Sequence, residues 1–178
     1  MIKMWRIFAL AIFVLVMGAC SGESGTAPEK SGAASAETSA APSHAPAQDG
    51  IPFLDEAGLD KYLKDNAGRP TMLFFWATWC PSCKQEIPEL VALQESHGDK
   101  VNIIALSVDE NREALEKYLE KKPMDLPVYW GDQNLARKFR VEAIPTLVIF
   151  DKTGKQIFGQ AGVYPHSMLG AMADKLNQ

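Results

Sequence analysis

The chain has 178 residues, enough for one domain with a hydrophobic core, and 47% of them are apolar. That proportion excludes a collagen-like or wholly disordered chain. A formal net charge of −4, with both signs mixed along the chain, gives no basic footprint for nucleic acid.

The N-terminus begins with a short basic region, Lys3 and Arg6, followed by an unbroken apolar run from Ile7 to Met17. The run is too short to span a bilayer comfortably. Gly18, Ala19 and Cys20 come next. Residues 1–19 resemble a bacterial lipoprotein signal, whose lipobox ends in small residues and a cysteine. Met17 departs from that pattern, in which leucine is usual. The resemblance implies cleavage before Cys20, lipid on Cys20, and a protein facing the periplasm or the cell exterior. Ser21, where an aspartate would retain the protein, permits sorting to an outer membrane. A plain secretory signal or an uncleaved anchor is the alternative. Residues 20–50 are rich in Ala, Ser, Gly and Pro, with scattered acids and no apolar periodicity. Such a segment cannot bury a core and reads as a tether, with His44 solvated in it.

Residues 51–178 alternate helix and strand signals and form the domain. Leu54, Leu59, Tyr62 and Leu63 recur at helical spacing, with Asp55 as a cap. TMLFFWAT from Thr71 is a continuous apolar run, as expected of a buried central strand. Residues 81–97 predict a helix through Ile87, Leu90, Val91 and Leu93; Pro88 should kink it without ending it. A second buried strand begins at Val101. An amphipathic helix follows over 111–122, with Leu115, Tyr118 and Leu119 on its apolar face. Then come a short extended LPVYW, a short helix from Asn134, a strand at 146–150, a turn at Asp151 to Gly154, and a returning strand. A last helix over 166–176 carries Leu169, Met172 and Leu176. Trp76 and Trp130 read as core, Lys84 as a solvated helix residue, and Asp109-Glu110 as a strand end and helix cap. This is mixed α/β around a central sheet, with crossover helices for its parallel part.

Cys80 and Cys83 form a CxxC that opens a helix directly after a strand. As a structural staple it would close nearly the smallest possible loop and constrain little of the unfolded chain. As half of a zinc site it lacks a second pair, and His97 and His166 stand alone in the sequence. As a redox pair it is well placed. Orphan amide groups and the positive end of the helix dipole favour a thiolate at Cys80, and Cys83 lies one turn on. Cys80 would attack a partner disulfide, and Cys83 would then attack Cys80 and release the reduced partner. Pro81 suits the first helical turn, because its missing N–H is not needed there.

FFWATWCPSCKQEIPEL, with Ser107-Val108-Asp109 at a strand end and Ile144-Pro145-Thr146, resembles the TlpA/ResA-like branch of the thioredoxin superfamily over roughly residues 51–176. The resemblance implies a thioredoxin fold, a central mixed β-sheet flanked by helices, with a TlpA-type insertion from about Asp109 to Val128. It implies a redox-active Cys80–Cys83 disulfide and a cis Pro145 facing it, with Ile144 left to pair with an extended partner peptide. The alternative for Pro145 is a simple strand-start proline. Trp79, Pro81 and Ser82 would complete the partner-binding surface, Trp79 shielding the cysteines. Plain thioredoxins carry a buried aspartate where this chain has Phe74. The resemblance assigns Glu86 to proton transfer at the thiols, against the alternative of an ordinary surface glutamate. Glu89, further along the helix, is assigned nothing.

The implied activity is a membrane-tethered reductase of exported protein disulfides, for example in cytochrome c maturation. Electrons would come from a transmembrane carrier of the DsbD/CcdA type. No cofactor or metal is implied. An oxidant or isomerase uses the same residues in the other direction. A copper chaperone resembling Sco proteins would need CxxxC and a distant histidine; the spacing here is CxxC, and His166 is only a loose candidate.

Overall fold

The computed structural model describes residues 50–178; the signal, Cys20, the tether and His44 lie outside the described residues. Six strands and five helices alternate: β1 (Phe53–Leu54), α1 (Glu56–Asp65), β2 (Thr71–Trp76), α2 (Pro81–His97), β3 (Asn102–Ser107), α3 (Arg112–Lys121), β4 (Val128–Gly131), α4 (Gln133–Lys138), β5 (Thr146–Phe150), β6 (Gln156–Ala161) and α5 (His166–Leu176). They build one sheet in the order β1-β4-β3-β2-β5-β6. Strands β1 to β4 run parallel, β5 runs antiparallel to β2, and β6 runs antiparallel to β5.

The side-chain period of a strand divides the core between the two faces of the sheet. Met72, Phe74 and Trp76 of β2 point with Ile103 and Ala105 of β3 to one face. There they meet Leu90 and Leu93 of α2, Leu115 of α3, and Leu169 and Ala173 of α5. Leu73 and Phe75 point with Ile104 and Leu106 to the other, under Leu59 of α1 and Leu135 of α4. All six residues of β2 and of β3 are buried, which is why both read as continuous apolar runs. Burying a leucine such as Leu90 or Leu93 contributes about 1.5–3 kcal/mol relative to exposure.

Local chemistry sets the element ends. The Asp55 carboxylate accepts from the Gly58 N–H at 2.7 Å and starts α1. Leu54 therefore lies outside the helix that its spacing suggested. It belongs to a two-residue strand whose partners are Trp130 and Gly131. The cap of α3 is Asn111, whose Oδ1 accepts from the Glu113 N–H; neither Asp109 nor Glu110 takes that place. Pro88 lies inside α2, and the helix continues to His97. The β5–β6 turn is held by Asp151, whose Oδ1 accepts from the N–H groups of Thr153 and Lys155, while Gly154 takes φ +81.

Register then fixes the site. At its C-terminal end β2 sits between Ser107 of β3, paired with Trp76, and Thr146 of β5, paired with Phe75. The loop leaving β2 is thus delivered between residues 107–109 on one side and 144–146 on the other.

Candidate active site

Cys80 is the N-cap of α2, in extended backbone, with Pro81 in the first turn. Its Sγ accepts from the Cys83 N–H at 3.1 Å, one of the orphan donors of a helix start. Cys80 and Cys83 are joined by a disulfide. Cys83 is fully buried, and Cys80 is 3% exposed. The Cys80 Sγ lies 3.7 Å from the Ile144 carbonyl oxygen and 3.5 Å from the Ser82 hydroxyl. The Ile144–Pro145 bond is cis. Among the described residues, neither the N–H nor the carbonyl of Ile144 takes a backbone partner, so this edge is open to an added chain beside the disulfide.

Phe74 is wholly buried in the same cluster as both cysteines and offers them no proton. An acid does lie buried after them. Glu86, one turn beyond Cys83, is 1% exposed. Its Oε2 accepts from the Tyr164 N–H at 2.6 Å, and its Oε1 has no hydrogen-bond partner among the described residues. Burial pushes its carboxyl up to about 7. The Tyr164 N–H works against that rise, and the neighbouring Glu89 carboxylate adds to it. The surface reading of Glu86 does not hold.

A second buried acid acts on the loop before the cysteines. Asp109 is 4% exposed. Its carboxylate accepts from the Thr78 N–H at 3.0 Å, the Thr78 hydroxyl at 2.7 Å and the Ser107 hydroxyl at 2.7 Å. Its carbonyl accepts from the Trp130 indole N–H at 2.7 Å. Asp109 thus ties the end of β3 to the residue two before Cys80. Trp79, next to Cys80 in the chain, is 66% exposed. It forms one wall of an open crevice of about 540 Å³, with Thr78, Asp109, Asn111 and Gln133 among the other lining residues. Trp76 is buried core, whereas Trp130 is half-buried against Phe53.

The thioredoxin-like family model matches residues 68–156, half of the chain. The chain belongs to the thioredoxin-like family. It is similar to the thioredoxin-like protein YneN of Bacillus subtilis, 28% identical over 101 residues, which cover 55% of this chain and 59% of that protein. It is also similar to the thiol-disulfide oxidoreductase ResA of Bacillus thuringiensis, 34% identical over 111 residues, 60% of this chain and 64% of ResA. The chain spans about three fifths of the length of these curated relatives. The crystal structure of StoA from Bacillus subtilis shares the fold, with TM-score 0.54 and 23% identity over 64% of this chain and 85% of that one.

Two features of this thioredoxin-like site were not legible in the sequence. For Asp109 the sequence offers only a strand end and helix cap; its signal is the Ser-Val-Asp at a strand terminus, one loop from the cysteines in space. Glu89 has no role legible in the sequence, yet its Oε2 accepts from the His166 N–H at 2.6 Å and starts α5, whose own cap residue, Pro165, has no side-chain donor or acceptor. His97 and His166 do not stand alone. The Ser96 hydroxyl lies 2.8 Å from His97 Nδ1 and 2.9 Å from His166 Nε2. That places both rings near the far end of α2, about 24 Å along the helix from Cys80, which argues against His166 as a copper ligand beside the cysteines.

Proposed function

We propose that this chain is an extracytoplasmic thiol-disulfide oxidoreductase that reduces disulfides in exported proteins. The observation that carries the reading is the Cys80–Cys83 disulfide at the head of α2, beside the open Ile144 edge, with a buried glutamate one turn below. In the reduced protein the Cys80 thiolate attacks one sulfur of the partner disulfide, and the partner's other sulfur leaves as a thiolate. Cys83 gives its proton to Glu86 and attacks the Cys80 sulfur. The second partner thiolate leaves, and the Cys80–Cys83 disulfide forms. Two electrons pass to the partner, and two protons complete its thiols. No cofactor is required, because the sulfur pair carries the electrons.

Glu86 suits the proton step because a carboxyl that titrates near 7 is part protonated at neutral pH and can both take and return a proton. Ile144 and Pro145 would align the partner backbone as an added strand, with Trp79, Pro81 and Ser82 meeting its flanks. Residues 51–178 would be the catalytic domain, 1–19 the signal and 20–50 the tether from lipid on Cys20. A transmembrane carrier of the DsbD/CcdA type would return the protein to its dithiol form. The thiol-disulfide oxidoreductase ResA supports the activity, and the N-terminal sequence supports the placement; cytochrome c maturation is one setting that fits it.

The experiment is capture. Cys83→Ala, expressed with its own export signal, should accumulate mixed disulfides through Cys80 with exported proteins, while Cys80→Ala should trap none. Thiol alkylation in intact cells should find the wild-type pair mainly reduced; a mainly oxidised pair assigns the opposite direction of transfer.

A further inference from the structure

Beside the redox pair, α2, the end of α3 and the segment following it line an open groove of about 240 Å³ that the reaction above does not use. Its floor is apolar: Ile87 and Pro88 from α2 face Tyr118, Pro123 and Met124. Its rim is cationic. The Lys84 ammonium lies 5.5 Å from the centroid of the Tyr118 ring, and that of Lys122 lies 6.0 Å from it. Both ammonium groups thus lie close to one aromatic ring. Among the described residues, neither is in an ion pair. The groove thus combines an apolar floor and two unpaired ammonium groups. Lys84 directly follows Cys83.

We infer that this groove docks an acidic, extended segment of the partner protein, with an aliphatic or aromatic side chain anchored on Tyr118, Ile87 and Pro88. The segment's carboxylates would meet Lys84 and Lys122. Charge complementarity selects this occupant. An anion beside two like charges relieves their repulsion as well as pairing them. A lipid surface is the weaker fit, because membrane attraction of this kind needs clusters of four or more basic residues, and a concave floor suits a chain better than a plane. The inference rests on the oxidoreductase reading, since it makes the groove an extension of that site. It would select partners whose disulfide is flanked by acidic and apolar residues.

The test uses the full-length wild-type protein and two fluorescent peptides, Glu-Leu-Glu-Phe-Gly-Ser and Gln-Leu-Gln-Phe-Gly-Ser. Neither contains cysteine, so binding is read by anisotropy independently of redox chemistry. The acidic peptide should bind more tightly by about fivefold at low salt, and the difference should shrink as salt is raised. Lys84→Gln/Lys122→Gln should abolish the difference, and Tyr118→Ala should weaken both peptides. A neutral disulfide, hydroxyethyl disulfide, is reduced in parallel by the wild-type protein. No turnover there refutes the oxidoreductase reading while the binding arm still decides the groove. Equal binding of the two peptides, or a preference that survives in the double variant, overturns the inference. So does a wild-type dimer dispersed by the double variant in sedimentation velocity, which would make a second copy the occupant. Lysine-dependent capture by phosphatidylglycerol vesicles without peptide binding overturns it in favour of a membrane.

Discussion

Replacing Glu86 by glutamine tests the buried acid through stability as well as catalysis. In the unfolded chain the carboxyl titrates near 4.5, and in the fold near 7. Between those values the folded protein holds a proton that the unfolded chain has released. Stability therefore falls as pH rises through that window, and the loss is complete above the folded value. The full shift corresponds to about 3 kcal/mol; water relaxing around the charged form reduces this to on the order of 2 kcal/mol. Glutamine still accepts from the Tyr164 N–H but does not ionise, so it removes the pH dependence and keeps the contact. Urea unfolding of the oxidised protein at pH 5 and pH 8 measures the effect. From the lower pH to the higher, the variant should gain on wild type by about 2 kcal/mol, roughly 1 M in the midpoint. Other titrating groups cancel in that comparison, and Glu95→Gln, on an exposed turn of α2, should track wild type. In the reduced protein Glu86→Gln should also slow turnover of hydroxyethyl disulfide at neutral pH. A gap between wild type and variant that stays constant from pH 5 to pH 8 would refute the reasoning.

Asp109→Asn sets an amide against the Thr78 and Ser107 donors and should cost about 1–3 kcal/mol in urea unfolding, with slower turnover because the loop before Cys80 loses its clamp. Glu89→Ala removes the acceptor that starts α5 and should cost about 1 kcal/mol, seen as faster amide exchange at the start of that helix. Cys20→Ala should abolish metabolic labelling by radioactive palmitate; labelling that survives refutes the lipid anchor.

Most of the fold was legible because its signals are local. The runs at β2 and β3 are apolar on both faces, so they read as central strands, and the predicted helix over 81–97 coincides with α2. Leu54 was misplaced because a two-residue strand has no period of its own; only pairing with Trp130 and Gly131 defines it. The cysteine pair stood out by spacing and context. Asp109 did not, because its role depends on parallel register. The pairing of Trp76 with Ser107 brings the end of β3 alongside the loop that carries Thr78, and no spacing along the chain reports that. The same holds for Glu89, whose partner is 77 residues away.

Three carboxylates frame the candidate site, and their partners separate their roles. Asp109 is saturated by donors and fixes geometry. Glu89 holds one amide at a helix start. Glu86 alone is buried with one oxygen bonded and the other bare, so it can change protonation without losing its place. Its bonded oxygen holds Tyr164, and two residues earlier the Gly162 N–H donates to the Pro145 carbonyl at 3.0 Å. Residues 162–164 therefore bond both to the proton-holding carboxyl on α2 and to the edge facing Cys80. This distinguishes two substitutions that remove the same charge. Glu86→Leu deletes the acceptor as well and leaves the Tyr164 N–H without its partner. It should lose the pH slope, as glutamine does, and in addition cost about 1–3 kcal/mol at every pH relative to Glu86→Gln. It should also raise amide exchange at residues 162–164. If leucine and glutamine match in both unfolding and exchange, the bond to Tyr164 contributes nothing, and Glu86 acts at the site through its charge alone.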